Sequence, residues 1–121
     1  MNHKGLFLRL FVEVADFGSA AAIGELAKAK LTRLGSVGQV KVERYWKIST
    51  YFEVYASMKL KREVSGCFSK VLKTFGTGWQ MHGSGDEQWA VWNHGPHTTF
   101  FAPEVRWANM ECCIIEPAAE G

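Results

Sequence analysis

LFLRLFVEV, residues 6–14, decides how this chain folds. Leu6, Leu8, Leu10, Val12 and Val14 alternate with Phe7, Arg9, Phe11 and Glu13, the two-residue period of a strand with one wholly apolar face. Asp16 to Ser19 supply turn and capping chemistry. Ile23, Leu26, Ala27, Leu31 and Leu34 then recur at helical spacing until Gly35 offers a left-handed stop. Gly24 inside that helix costs about 1 kcal/mol against alanine and is expected to allow a close approach to the sheet.

Working outward, Val40, Val42, Trp46 and Ile48 alternate with Lys41, Glu43, Tyr45 and Lys47, and after Ser49-Thr50 the residues Phe52, Val54, Ala56, Met58 and Leu60 resume the rhythm. This predicts an antiparallel hairpin. Val64, Cys67, Phe68, Val71, Leu72 and Phe75 form an i, i+3, i+4, i+7, i+8, i+11 stripe that ends at Gly76 and predicts a second amphipathic helix. Strands at 79–82 and 88–92 flank the turn Gly83-Ser84-Gly85-Asp86-Glu87. An irregular stretch covers 93–104, a last strand runs from Val105 to about Glu116, and residues 117–121 are small and polar enough to fray.

The order strand, helix, strand, strand, helix, strand, strand, strand predicts an α+β fold. It is read as a ferredoxin-like split β-α-β antiparallel sheet with two helices on one face and additional C-terminal strands. The 121 residues, 47% hydrophobic and 13% aromatic, suffice for one core, and no repeat or linker divides them, so 1–121 reads as a single domain. The face without helices carries Phe7, Phe11, Tyr45, Tyr51 and Tyr55 and needs a cover. A second chain, the 93–104 loop or a ligand would each supply it.

A formal charge of +2, from 14 basic and 12 acidic side chains, is too near balance for a dedicated nucleic-acid binder. Lys59, Lys61 and Arg62 form a short cluster that reads as a solvated junction. Cys67, Cys112 and Cys113 make an odd number, and neighbours on a strand face opposite ways, so a reduced, cytoplasmic chain is expected. The apolar run at residues 6–11, broken by Arg9, is too short for a membrane span or a signal peptide.

Candidate chemistry is sparse. His94-x-x-His97, with His82 and Cys67 or Cys112 far off in sequence, lacks metal-site spacing, and no metal or cofactor is expected. Cys67 and Cys112 fall on apolar faces, and nothing fixes a histidine beside Cys113, so no catalytic residue is assigned. His82, Asp86, Glu87, His94 and Glu111 supply acid-base groups without evident convergence. Gly83-Ser84-Gly85 lacks the lysine and following helix of a phosphate loop. Tyr45, Trp46, Tyr51 and Tyr55 neighbour Lys41, Arg44, Lys47 and Lys59, a single-stranded RNA pattern diluted by Glu43 and Glu53.

Four of the five tryptophans lie between Trp79 and Trp107, with three of the four histidines. Trp79, Trp89, Trp92 and Trp107, with Arg106, Asp86, Glu87 and Glu104, have the composition of an interface hot spot, although a purely core role for two or three of the indoles stays open. The alternation Trp89-Ala90-Val91-Trp92 sends one tryptophan inward and the other outward.

Gln88-Trp89-Ala90-Val91-Trp92-Asn93 and the segment from Phe100 to Glu111, FFAPEVRWANME, together with the small helix-covered sheet, resemble immunity proteins of bacterial contact-dependent growth inhibition and related polymorphic toxin systems. The resemblance implies a cytoplasmic, non-enzymatic protein that binds the C-terminal toxin domain of a cognate effector, often a nuclease, and inhibits it stoichiometrically. Immunity proteins against nucleases are often acidic, and the +2 charge departs from that pattern. On this reading Asp86, Glu87, Trp89, Trp92, Glu104 and Trp107 face the toxin. The alternatives are a small enzyme or ligand-binding domain using His82, His94 or Glu111 at the open sheet face, and a single-stranded RNA module. A homodimer is compatible with any of them.

Overall fold

A computed structural model describes residues 3–60, 68–84 and 87–115. In chain order the elements are β1 (His3–Glu13), α1 (Phe17–Thr32), β2 (Gly35–Arg44), β3 (Tyr51–Leu60), α2 (Phe68–Phe75), β4 (Gly76–Thr77), β5 (Gln80–Ser84), β6 (Glu87–Asn93), β7 (Thr99–Phe100) and β8 (Val105–Ile115). The fold is α+β. One six-stranded sheet has the order β2-β3-β1-β8-β6-β5, and β4 pairs with β7 in a small second sheet.

The alternation in β1 explains its central place. Leu6, Leu8, Leu10 and Val12 are at most 1% exposed, which requires paired neighbours on both sides. They lie opposite Met58, Ala56, Val54 and Phe52 of β3 and opposite Cys112, Met110, Ala108 and Val105 of β8, antiparallel in both directions. Each such side chain contributes about 1.5–3 kcal/mol on full burial. β1 and β2, joined by α1, are thus separated by β3, and the hairpin of β5 and β6 extends the sheet beyond β8.

α1 begins where the Asp16 carboxylate accepts the Ser19 backbone N–H at 2.7 Å, satisfying an orphan donor of the first turn. That bond holds the Asp16 carboxyl below its ordinary value of 3.8. Ala20, Ile23, Gly24, Ala27 and Leu31 form the buried face. A Cβ on Gly24 would stand 3.4 Å from a Val42 methyl and 3.5 Å from methyls of Val40 and Val54, the close approach expected from the sequence. Leu26, counted in the apolar stripe, is instead exposed. The helix also ends without a left-handed residue. Arg33 caps it in the right-handed region, Leu34 N–H donates to Leu31 O at 2.8 Å, and Gly35 opens β2.

β2 stops at Arg44, whose guanidinium donates to Ser49 O at 2.7 Å, and Tyr45 N–H donates to Tyr51 O at 2.9 Å to close the turn. Trp46 and Ile48, expected on the inner face of a longer strand, therefore project from the connection. No sheet continues beneath them, and Trp46 is 82% exposed. In α2 the residues Phe68, Val71, Leu72 and Phe75 are buried as the stripe predicts. Val64 and Cys67 of that stripe, the Lys61-Arg62 cluster and the 117–121 tail lie outside the described residues.

The irregular 93–104 stretch packs on the helix side of the sheet. Phe101 N–H donates to Phe75 O at 2.8 Å, the Phe101 ring meets Phe75 at 5.7 Å, and Phe100 lies 4.6 Å from Trp92. It therefore does not cover the opposite face, which was one of the three expected covers.

Two measurements check these packing arguments. Gly24→Ala is expected to raise stability by up to about 1 kcal/mol in urea unfolding, because its Cβ meets methyls at ordinary contact distance, whereas Gly24→Leu should lower it. Asp16→Ala should lower the melting temperature near neutral pH. Because the folded-state pKa is depressed, this contribution is present above 3.8 and fades as pH falls below it, so the two melting curves should converge in acid.

Candidate interaction surface

Burying one set of β1 side chains turns Phe7, Arg9 and Phe11 to the other face, and registry aligns the neighbouring strands with them. One row runs Glu43, Glu53, Phe11, Trp107 across β2, β3, β1 and β8. Four residues away along β1, about 13 Å, a second row runs Ser57, Phe7, Glu111, Trp89, His82 across β3, β1, β8, β6 and β5. Between them Tyr55, Arg9, Asn109 and Val91 are in line. The buried faces of α1 and α2 join the core on the opposite side of the sheet.

A bulge lets Val105 and Trp107 take opposite faces. Phe11 pairs with Trp107 but Val12 pairs with Val105, leaving Arg106 as the extra residue. Without it, Val105 and Trp107 would share a face; with it, Val105 enters the core and Trp107 turns outward. The Arg106 guanidinium is held by the Glu13 carboxylate at 3.1 Å and by Pro103 O at 2.7 Å. Trp107 then lies 5.1 Å from Phe11, Phe11 lies 4.5 Å from Tyr45, and Tyr45 lies 6.3 Å from Trp46. This ladder of rings runs from β8 to the tip of the β2–β3 hairpin.

At the other end His82 stacks on Trp89 with centroids 5.7 Å apart and planes at 22°. Gly83, at φ +78, permits this: a Cβ there would meet Glu87 O and stand 2.9 Å from the Trp89 ring. Glu111 sits between Phe7 and Trp89 and borders two shallow, solvent-open depressions. One of about 260 Å³ is lined by Phe7, Leu8, Arg9, Tyr55, Asn109 and Glu111, the other of about 220 Å³ by Glu87, Gln88, Trp89, Glu111 and Cys112.

The six residues assigned to a partner surface fare differently. Trp92 is a correction: it is 1% exposed, its ring is packed on Phe100, and its indole N–H donates to Thr77 O at 2.9 Å. The alternation of β6 sends it inward with Ala90 and leaves its neighbour Trp89 43% exposed on the other face. Glu87 is exposed at the start of β6. Trp107 is half-buried in the ring ladder, while Glu104 is half-buried in the turn before β8 and its carbonyl accepts Glu13 N–H at 2.9 Å. Asp86 lies outside the described residues. Trp79 is also structural, its indole donating to Leu72 O at 3.0 Å in the last turn of α2.

Trp89 and Trp107 thus stand at opposite ends of one face, on the directly paired strands β6 and β8. Sequence reasoning missed the exposure of Trp46 and the bulge that turns Val105 into the core; the pairing Tyr45-Trp46 before Ser49-Thr50 was the available signal for the first. The proposed acid-base groups do not meet. Trp89 separates His82 from Glu111 on their shared row, and His94, after β6, donates its backbone N–H to Arg106 O and edges onto Trp92. Among the described residues no three His, Cys, Asp or Glu side chains gather as metal ligands. Cys112 is buried beside Met110 and Ala108 on the core side.

Comparison with protein-family models, with curated proteins and with solved structures yields no match.

The two neighbouring tryptophans of β6 should separate cleanly in unfolding experiments. Trp92→Ala is expected to lose about 3–5 kcal/mol, as large core truncations do. Trp89→Ala should stay within about 1 kcal/mol of the parent.

Proposed function

We propose that this chain is a protein-recognition module of the immunity type, which neutralises a cognate bacterial toxin domain by occupying it stoichiometrically, with the bare sheet face as the contact area. The observation that carries this is the ring ladder Trp46, Tyr45, Phe11 and Trp107 lying across a face that neither α1, α2 nor the 93–104 loop covers. Aromatic anchors on a rigid sheet, ringed by charges of both signs, suit a protein partner. The toxin identity of that partner, a cytoplasmic location and the absence of enzymatic activity come from the resemblance of the β6 and β8 segments to immunity proteins. In the same reading β2-β3-β1-β8 is a ferredoxin-like core and β5-β6 an added hairpin.

The charge pattern favours this over single-stranded RNA. Glu43 and Glu53 face each other directly in the register of β2 and β3, and Arg9, the cation at the centre of the face, lies 3.7 Å from Glu53. A phosphate backbone crossing there would meet carboxylates rather than a basic groove. An enzymatic role at the same face would need His82, His94 and Glu111 to converge, and they are dispersed. No described helix is long and apolar enough to cross a membrane.

Co-expression with the product of the gene immediately upstream tests the proposal. The expected outcome is rescue of growth together with co-purification at one-to-one stoichiometry. Phe11→Ala and Trp107→Ala, shown to be folded by circular dichroism, should each weaken the complex by about 2 kcal/mol, roughly thirtyfold. Failure of rescue and co-purification would overturn it.

A further inference from the structure

We infer that Glu111 marks a cleft on the open face that receives an arginine side chain of the partner polypeptide. This deepens the protein-recognition reading above and rests on it for the identity of the partner, though not for the chemistry of the cleft. Glu111 is an exposed carboxylate in line between the Phe7 ring of β1 and the indole of Trp89 on β6. Among the described residues it has no cation: Arg9, diagonal to it on β1, is turned toward Glu53 at 3.7 Å, and Arg106 is engaged by Glu13 and Pro103.

Each depression has an aromatic wall, Phe7 and Tyr55 in one and Trp89 in the other. Trp89 is 43% exposed yet held by the His82 stack on one side, with Gly83 leaving room beneath its ring. A positive group above an indole or phenyl face is attracted by the ring quadrupole, and a carboxylate between two rings adds the charge that such a group seeks. The depressions on either side of Glu111, about 260 and 220 Å³, fall below the roughly 300–1,000 Å³ of small-molecule pockets. They suit a single long side chain entering from above. A planar guanidinium meets both demands at once, stacking on a ring while its forked N–H groups bond the carboxylate. An ammonium is drawn to the ring face and the carboxylate as well, but offers neither the planar stack nor the two-pronged bond.

The test uses an arginine probe before any partner. N-acetyl-arginine amide is titrated into the whole protein while the Trp89 indole N–H resonance is followed, with N-acetyl-citrulline amide as the neutral isostere. The expected result is a saturable shift with arginine and none with citrulline, weakened about fivefold by Glu111→Gln, the upper end for an exposed ion pair. Equal shifts with both probes, no shift with either, or an unchanged titration in Glu111→Gln would overturn the cleft. The same variant is then assayed against the co-expressed toxin domain. Parent and variant binding it equally well would overturn the arginine contact and leave the protein-recognition reading standing. A normal arginine titration with no toxin bound by the parent would sustain the cleft and remove that reading.

Discussion

The structure depends on the register of β1 between β3 and β8. Leu6, Leu8, Leu10 and Val12 are sealed on one side, and because side chains alternate strictly, that burial dictates what stands on the other. A slip of one residue would place Phe7, Arg9, Phe11 and Glu13 under the helices and four aliphatic side chains in water. The chemistry of the open face is therefore a consequence of the core. The same pairing carries the alternation sideways, into Tyr55 and Glu53 of β3 and into Asn109 and Glu111 of β8.

The helix side of the sheet is closed twice, first by α1 and α2 and then by the 93–104 stretch. Trp92, buried, and Trp79, half-buried, tie these layers together, since each hands its N–H to a backbone carbonyl, Thr77 O and Leu72 O. Buried indoles require such partners. Phe100 and Phe101 then fix the irregular stretch against Phe75 and Trp92. Among the described residues, the rings across the sheet touch one another along its surface instead of inserting into a second layer. That asymmetry distinguishes the indoles that hold the fold from those offered outward.

Strand alternation was legible in the sequence because it needs only local information. β1, the Asp16 cap, the inner stripe of α2 and the alternation of β8 from Trp107 onward all follow from period and residue type. The errors fall where a non-local partner decides. Trp46 and Ile48 fit the rhythm of β2, but pairing ends at Arg44 opposite Phe52, and no local pattern reports where a partner strand stops. Gly35 looked like a helix stop, yet Leu34 closed the turn first and the glycine was taken into β2. The placing of Trp92 on the candidate surface is corrected for a related reason. Proximity in sequence groups Trp89, Trp92, Glu104 and Trp107, whereas the sheet sorts them by face and by row, burying Trp92 and setting Trp89 and Trp107 in different rows of the paired strands β6 and β8.

A face this aromatic would associate indiscriminately if it carried rings alone. Its charges limit that. Glu43 and Glu53 stand directly opposite one another, a like-charge pairing unfavourable in an isolated sheet, and Arg9 relieves only part of it. Two identical faces brought together would confront carboxylates with carboxylates unless their offset happened to match Arg9 and Lys41 to them. A partner with basic side chains at the right spacing would meet no such opposition. On the proposed protein-recognition reading the rings would provide area that many surfaces could use and the carboxylates would decide among those surfaces, so that affinity and selectivity would be carried by different residues of the same rows.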